Sequence, residues 1–242
     1  MAHEYRFFAT APRGVEPLLA GELTRLELNG VEPGRGGVAF SGGMEAGYRA
    51  CLWSRTAVRV LLPLGHFPIP DAEALYQGTT ALPWEEHLSA DGTLAVDFAG
   101  SSKAIVNSHF GALRVKDGVV DRLRQLYGRR PGVDREKPDV RINAYLHREQ
   151  LTLAVDLSGE PLHRRGYRQG TVAAPLKENL AAALLLKAGW PEIAAEGGTL
   201  LDPLCGSGTL LVEAGWLALD IAPGLLREHW GFSGWLGHVP RL

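Results

Sequence analysis

The chain has 242 residues, of which 45% are hydrophobic and 21% charged, and its formal net charge is −2. This composition is ordinary for a soluble globular protein of one or two domains. Two cysteines, Cys51 and Cys205, are too few for a disulfide framework and favour a reducing, cytoplasmic environment. The longest wholly apolar run, Leu180–Leu186, is far shorter than the ~20 residues that span a bilayer, and no signal-peptide core is visible, so no membrane partner is expected.

The first part of the chain reads as a small α+β unit. Apolar spacing predicts, in order, a strand at Tyr5–Thr10, a helix at Val15–Leu28, a strand at Val38–Phe40, a helix at Met44–Trp53 and a strand at Thr56–Leu64. Asn29-Gly30 is expected to cap the first helix, because both residues accept the left-handed conformation in which many helices end. A proline-rich break at His66–Pro70 closes the unit.

The middle of the chain combines helices with alternating strands. The pattern predicts short helical pieces at Leu75–Tyr76 and Trp84–Leu88, a strand at Thr93–Phe98, a long helix at Asn107–Tyr127 ended by Gly128, and a hairpin of Val140–Leu146 with Leu151–Leu157. Between Ser101 and Lys177 there are 15 Lys and Arg residues against 8 Asp and Glu residues. A basic segment is typical of polyanion binding, although a solvated basic surface fits the same pattern.

The last part of the chain contains a glycine loop between two apolar segments. A helix is predicted at Leu176–Ala188, a short strand at Leu200-Leu201, and a second helix after Thr209, whereas no element is predicted from Ala222 onward. The loop between strand and helix reads Asp-Pro-Leu-Cys-Gly-Ser-Gly-Thr from Asp202. It lacks the Lys-Ser/Thr pair of a phosphate-binding P-loop and the third glycine of a dinucleotide fingerprint. An ordinary strand-to-helix turn remains an alternative.

Several motifs in this chain resemble those of one bacterial family. The run 202–209 resembles the first motif of class I S-adenosylmethionine-dependent methyltransferases, and Pro175–Ala181 resembles the helix that precedes it. Gly111–Asp117 and the hairpin after it resemble a THUMP domain, an RNA-binding module. Phe8–Glu16 resembles the ferredoxin-like segment before that domain. With His163–Arg168, the ordered set is similar to the 23S rRNA guanine-N2 methyltransferases of the RlmL type.

The resemblance implies an α+β fold with three parts. These are a ferredoxin-like segment at 1–66, a THUMP domain at 67–158, and a linker with the first elements of a Rossmann-like α/β methyltransferase domain at 159–242. It also implies S-adenosyl-L-methionine as cofactor and large-subunit rRNA as partner, with no metal. The implied cofactor-binding residues are Asp202, Pro203, Cys205, Gly206, Ser207, Gly208, Thr209, Lys177 and Glu178.

The chemistry of these residues agrees with that role. Gly206 and Gly208 lack Cβ atoms, so their backbone can approach a bulky ligand closely. Asp202 can accept a charge-assisted hydrogen bond from the ammonium group of the methionine moiety. Structural alternatives stay open, namely a helix N-terminal carboxylate for Asp202, helix-start charges for Lys177 and Glu178, a helix-start hydroxyl for Thr209 and a small packing residue for Cys205.

RNA contacts are expected from cationic side chains, which neutralise phosphates without reading sequence. Tyr167 adds a ring on which a base can stack, with interdomain packing as its alternative. The expected RNA-binding residues are Lys103, Arg114, Lys116, Arg122, Arg124, Arg129, Arg130, Arg164, Arg165, Tyr167 and Arg168.

Two motifs that the resemblance leads us to expect are missing. The acidic residue for the ribose hydroxyls and the Asn/Asp-Pro-Pro-Tyr/Phe motif for the target amino group would lie beyond Leu242, and the chain has no Pro-Pro pair. We therefore expect the N-terminal part of a larger enzyme, or a truncated product, that is inactive alone, and we assign no catalytic residue. The alternatives are a stand-alone THUMP module without catalysis and a fragment of a tRNA guanine-N2 methyltransferase.

Overall fold

The computed structural model describes residues 4–168 and 175–241. The strands are β1 (Tyr5–Thr10), β2 (Asn29–Gly34), β3 (Gly37–Gly42), β4 (Arg59–Pro68), β5 (Thr93–Ala99), β6 (Gly132–Val133), β7 (Val140–His147) and β8 (Gln150–Asp156). The helices are α1 (Glu16–Arg25), α2 (Met44–Trp53), α3 (Ala72–Thr80), α4 (Ser108–Tyr127), α5 (Glu178–Lys187), α6 (Trp190–Ala195) and α7 (Thr209–Ala218), with a 3₁₀ turn at Trp84–Glu86. The predicted α+β fold is confirmed.

The chain divides into two compact units, and each is built from two stretches of sequence. The first unit comprises Met1–Val60 with Glu160–Glu228, and the second comprises Leu61–Gly159 with His229–Leu242. The first segment of the chain therefore shares a unit with the glycine loop. Within 4–168 and 175–241, no helix is both long and apolar enough to cross a membrane.

The N-terminal half of the first unit is a helix-backed antiparallel sheet in the order β2-β3-β1. Phe7 of β1 and Phe40 of β3 lie opposite each other, with stacked rings 5.1 Å apart. Both are fully buried, as are Leu19 and Leu23 of α1. The strands predicted at Tyr5–Thr10 and Val38–Phe40 are confirmed as β1 and as part of β3, whereas β2 was not predicted.

The end of the first helix differs from the prediction. The helix α1 ends at Arg25, and Glu27 takes the left-handed conformation at φ +58°. Asn29 and Gly30 do not cap the helix; they begin β2, in which Asn29 pairs with Ser41 of β3. Strand pairing across the sheet outweighs the local capping preference, because it satisfies backbone donors and acceptors along the whole segment.

The second unit contains a mixed sheet in the order β4-β8-β7-β5-β6. Strands β4, β8 and β7 pair antiparallel, whereas β5 pairs parallel with β7 and β6. The long predicted helix is confirmed as α4: the Asn107 side chain accepts from the His109 amide at 2.8 Å, and Gly128 ends it at φ +69°. Its buried face includes Val115 and Val119.

The residues of the second unit beyond 228 form turns and no described helix or strand, as predicted. Trp235 is nearly fully buried and donates its indole N–H to Nδ1 of His87 at 3.1 Å, while their rings stack 6.0 Å apart. Burial lowers the pKa of His87 below its ordinary value. The neutral imidazole can then accept the hydrogen bond that holds this segment.

The predicted β7–β8 hairpin is confirmed, with an unusual turn. His147 pairs with Gln150, so the turn consists of Arg148 and Glu149 alone, at φ +48° and +61°. Two-residue turns of this kind favour Asn-Gly, because other residues are strained at positive φ.

We expect the double substitution R148N/E149G to raise the free energy of unfolding by about 1 kcal/mol, because it relieves backbone strain at two positions. Urea unfolding followed by circular dichroism measures the change. The matched control R148A/E149A removes the same side chains and keeps the strain, so it should give no increase. An equal increase in both variants would show that the side chains, and not the backbone, determine the effect.

Candidate cofactor site and basic groove

The glycine loop lies in the first unit and is not preceded by a strand. The structure corrects the strand predicted at Leu200-Leu201: residues 198–202 have no regular structure, and Leu201 is 84% exposed. A strand requires a neighbouring strand to accept and donate its backbone hydrogen bonds. No described residue pairs with this segment, so its apolar character alone does not make it a strand.

The backbone of the loop is open on the side of its two glycines. Gly206 and Gly208 have φ +54° and +72°, and no atom lies within 4 Å of where a Cβ would stand at either position. The Asp202 carboxylate accepts the Leu204 amide at 3.1 Å through one oxygen. Because α7 begins only at Thr209, Asp202 forms a turn and is not a helix N-terminal carboxylate.

The other loop residues differ in exposure. Pro203, Cys205, Gly206 and Ser207 are exposed, which argues against a packing role for Cys205. Thr209 is buried, and its hydroxyl lies 3.1 Å from the hydroxyl of Ser207. The loop therefore presents its backbone and small side chains to solvent, while its last residue anchors it in the unit.

One arginine connects the two helix starts at this site. Lys177 is the exposed N-cap of α5, and Glu178 beside it is buried. Arg168 forms an ion pair with Glu178 at 2.9 Å and donates to the Leu176 carbonyl at 3.0 Å and to the Thr209 hydroxyl at 3.3 Å. The structure thus brings together Glu178 and Thr209, which the sequence analysis placed in the cofactor site.

A buried carboxylate occupies the middle of α7. Glu213 is fully buried, accepts the Tyr167 hydroxyl at 3.1 Å and lies 3.5 Å from Nε of Arg165. Burial raises the pKa of Glu213, and burial together with the charge of Glu213 raises the pKa of Tyr167. Trp216, one turn further on, packs edge-on against the Tyr167 ring at 5.2 Å.

The other end of α7 is held by an arginine from the N-terminal segment. Arg55 donates to the Ile221 carbonyl at 3.0 Å and to the Trp216 carbonyl at 3.4 Å, as cations do at helix C-termini. Its own carbonyl accepts a hydrogen bond from Arg165. Burial lowers the pKa of the Arg55 guanidinium.

Glu22 of α1 fixes the turn from which Arg55 projects. Its carboxylate accepts from the Ser54 hydroxyl at 3.2 Å and from the Arg55 and Thr56 amides, each at 3.0 Å. The Thr56 carbonyl in turn accepts from Asn179 of α5 at 3.4 Å. The sequence analysis missed Glu22, Arg55 and Glu213. Of these, Glu213 could have been found, because it is an acidic residue within the apolar sequence of α7.

The segment 163–168 points largely inward and not towards solvent. Arg165 is 1% exposed and Tyr167 is half-buried against α7, so neither presents its polar group to RNA, contrary to the expectation for Arg165. Arg168 is committed to Glu178 and Thr209. Of the RNA-binding residues predicted within 163–168, Arg164 is the well exposed one, and it pairs with Glu160 at 2.9 Å.

The basic side chains around α4 are mostly paired with acids. The pairs are Arg114 with Glu73, Lys116 with Asp117, Arg122 with Glu85, Arg124 with Asp121 and Arg129 with Asp91. Lys103 and Arg130 are exposed in loops. Exposed pairs contribute little stability and can exchange partners, but their acids reduce the local positive charge.

A groove of about 220 Å³ opens beside α4 in the second unit. Its walls include apolar residues of β5 and the cationic residues Lys116, Arg135 and Arg141. Arg141 lies near Asp97 at 3.3 Å and donates to the Arg135 carbonyl at 2.8 Å, while its buried Nε has no hydrogen-bond partner in the described structure. Sequence reasoning missed Arg135 and Arg141, because only the parallel pairing of β5 with β7 brings Arg141 to this groove.

Three domain families match successive parts of the chain. Residues 6–61 match the RlmL ferredoxin-like domain, residues 70–156 the THUMP domain and residues 165–240 the RMKL-like methyltransferase domain. The order of these matches is the order of motifs in the sequence.

Two named proteins illustrate the similarity. The chain is 57% identical over 233 residues to the ribosomal RNA large subunit methyltransferase K/L of Syntrophotalea carbinolica, covering 96% of this chain and 33% of that protein. It is 57% identical over its whole length to the protein of the same name from Pseudomonas aeruginosa, again covering 33% of it. The chain thus spans about a third of the length of these curated relatives.

The fold also matches a solved structure that contains a ligand. The crystal structure of SMU.472, determined in complex with SAH, superposes with a TM-score of 0.84 at 32% identity, covering 100% of this chain and 62% of that one. The chain therefore shares its fold with part of a protein that was solved in complex with SAH.

We expect E213A to lower the free energy of unfolding by about 3 kcal/mol, because it leaves the buried Arg165 guanidinium without its charge partner. Y167F, which removes one hydrogen bond to Glu213, should cost about 1 kcal/mol. Urea unfolding measures both. E45A, which removes an exposed carboxylate paired with Arg49 in the same unit, is the matched control. A cost for E213A no larger than that of E45A would contradict the structural role of Glu213.

Proposed function

We propose that this chain belongs to the ribosomal RNA large subunit methyltransferase K/L family, to whose members it is similar along its length. In this proposal it supplies the RNA-binding part and a portion of the cofactor site of an S-adenosylmethionine-dependent 23S rRNA guanine-N2 methyltransferase. The single observation that carries the proposal is the open glycine loop before α7. Its two left-handed glycines have free space beside them, and Asp202 stands at its entrance. The proposed location is the cytoplasm.

The donor and acceptor groups at the loop fit the methionine end of S-adenosylmethionine. Asp202 uses one oxygen in its turn, and the other suits an ammonium group. No side chain caps the first turn of α7, so its amides suit a carboxylate. SAH, which SMU.472 holds, differs from the cofactor only by the transferred methyl group. The bound cofactor would supply that methyl group, and the loop would orient it.

The RNA-binding role is proposed for the second unit. The groove lined by Lys116, Arg135 and Arg141 combines cationic side chains with an apolar wall, which suits phosphates beside an unstacked base. Lys103 and Arg130 are further exposed candidates in this unit, together with the paired arginines of α4. Arg164 is an exposed candidate in the first unit. Arg165, which is buried, is no longer part of the proposed RNA-binding set.

This chain by itself is proposed to bind RNA without methylating it. No described residue is assigned to activate the target amino group. The chain spans about a third of the length of its curated relatives. Methyl transfer to guanine N2 proceeds by in-line attack, so positioning the base against the cofactor is the main requirement. That target-binding function is proposed to lie in residues that the given chain does not contain.

We expect K116Q/R135Q to weaken binding to unmodified 23S rRNA roughly tenfold and to reduce the salt dependence of binding, because it removes two cations of the groove. Filter binding over a series of salt concentrations measures both effects. K137Q/R148Q removes two exposed cations of the same unit outside the groove and should have a smaller effect. Equal losses in the two variants would show that only total charge matters. Competition with tRNA separates a ribosomal from a transfer-RNA substrate.

Incubation of the chain with tritiated S-adenosylmethionine and unmodified 23S rRNA tests its role directly. We expect RNA to be retained and no tritium to be transferred, because the groups that hold the target amine are absent from the assigned site. Addition of the remaining part of a curated relative as a separate polypeptide is the positive control. Transfer by the chain alone would contradict the assignment of an incomplete site.

A further inference from the structure

The helix that follows the glycine loop packs against a small apolar cluster. Ala214 of α7 is buried with Leu185 and Trp190, and the Trp190 indole donates to the Ala214 carbonyl at 2.9 Å. Leu211, in the first turn of the helix, is 41% exposed. Leu210, also in the first turn, packs partly buried against this cluster, and the polar contacts made at the same turn add to that packing.

Arg168 makes those contacts at the start of α7. Its Nη2 atom lies 2.9 Å from the Glu178 carboxylate, 3.0 Å from the Leu176 carbonyl and 3.3 Å from the Thr209 hydroxyl, and its Nε donates to Glu178 at 3.0 Å. Glu178 and Thr209 are both buried. A planar guanidinium with donors in a fixed arrangement can satisfy three partners at once, which the single ammonium of lysine does less well.

We propose that Arg168 is a positioning residue of the cofactor site, which ties the start of α5 to the start of α7 and thereby sets the orientation of the glycine loop. The inference rests on the proposed cofactor role of that loop. Arg168 acts through Glu178 and Thr209 and contacts no reacting atom. Tyr167, the preceding residue, reinforces the tie through Glu213 one helical turn further along α7.

Loss of the guanidinium would have a local consequence. Glu178 would be left as a buried carboxylate without its cation, and its side chain would turn towards solvent. Thr209 would lose its link to α5, and the loop from 202 to 208 would sample more orientations. The loop and the starts of α5 and α7 would therefore become less ordered, whereas α1 in the same unit would be unaffected.

Hydrogen exchange measured by mass spectrometry tests this inference on the chain itself. We expect R168Q to increase exchange about tenfold in peptides covering 202–211 and 176–183, with no change in the α1 peptide 16–25, because charge-assisted hydrogen bonds at the two helix starts are lost. R168K, which keeps the positive charge, should restore part of the protection. T209V, a milder variant, should raise exchange in the 202–211 peptide. Because Arg168 and Thr209 act through one contact, the protection lost in R168Q/T209V should be less than the sum of the losses in the two single variants.

R6Q is the matched control, because Arg6 is an exposed arginine of the same unit that pairs with Glu32 on the surface. A uniform increase in exchange across all peptides, or no increase in the loop, would overturn the positioning role. Calorimetric titration with SAH gives a second measurement, with affinity expected to fall about tenfold in R168Q and to be unchanged in R6Q. Failure of the unaltered chain to bind SAH would contradict the proposed cofactor function, while the exchange data would still decide the role of Arg168.

Discussion

The buried carboxylate of Glu213 is the constraint on which the first unit depends. A carboxylate in the interior requires hydrogen bonds and a cation to offset its lost hydration. Tyr167 and Arg165 provide them, and both come from the segment that enters the last part of the chain. Arg165 then bonds to the carbonyl of Arg55. One desolvated charge thus requires three distant stretches of sequence to meet around α7.

This arrangement explains why the ferredoxin-like segment shares a unit with the glycine loop. Arg55 holds the C-terminal carbonyls of α7, and Glu22 holds the turn that presents Arg55. The N-terminal segment therefore does more than precede the proposed RNA-binding region in sequence, because its polar residues support the helix that follows the proposed cofactor loop. The linker segment 163–168 has the same supporting role, although its composition suggests an RNA-binding strip.

In the basic middle of the chain, ion pairing lowers the positive charge that the composition indicates. Most cations around α4 have an acid within salt-bridge distance, so the helix face is less positive than its composition indicates. The groove beside it is lined by three cationic residues, Lys116, Arg135 and Arg141, and by one acidic residue, Asp97. Their concentration in a concave surface with an apolar wall makes the groove the better candidate for RNA, since charge and shape act together there.

The sequence by itself determined the elements with strong local signals and the resemblance to a known family. The limits of α2, the cap and end of α4, and the β7–β8 hairpin follow from apolar periodicity, Asn107 and Gly128, which act within a few residues. The glycine loop was recognisable because its residue types are contiguous. Tertiary structure decided the rest: Asn29-Gly30 became a strand start, Leu200-Leu201 lacked a partner strand, and Arg165 and Arg168 turned inward. These outcomes depend on partners far away in the sequence, such as Ser41, Arg55 and Thr209, whose proximity exists only after folding.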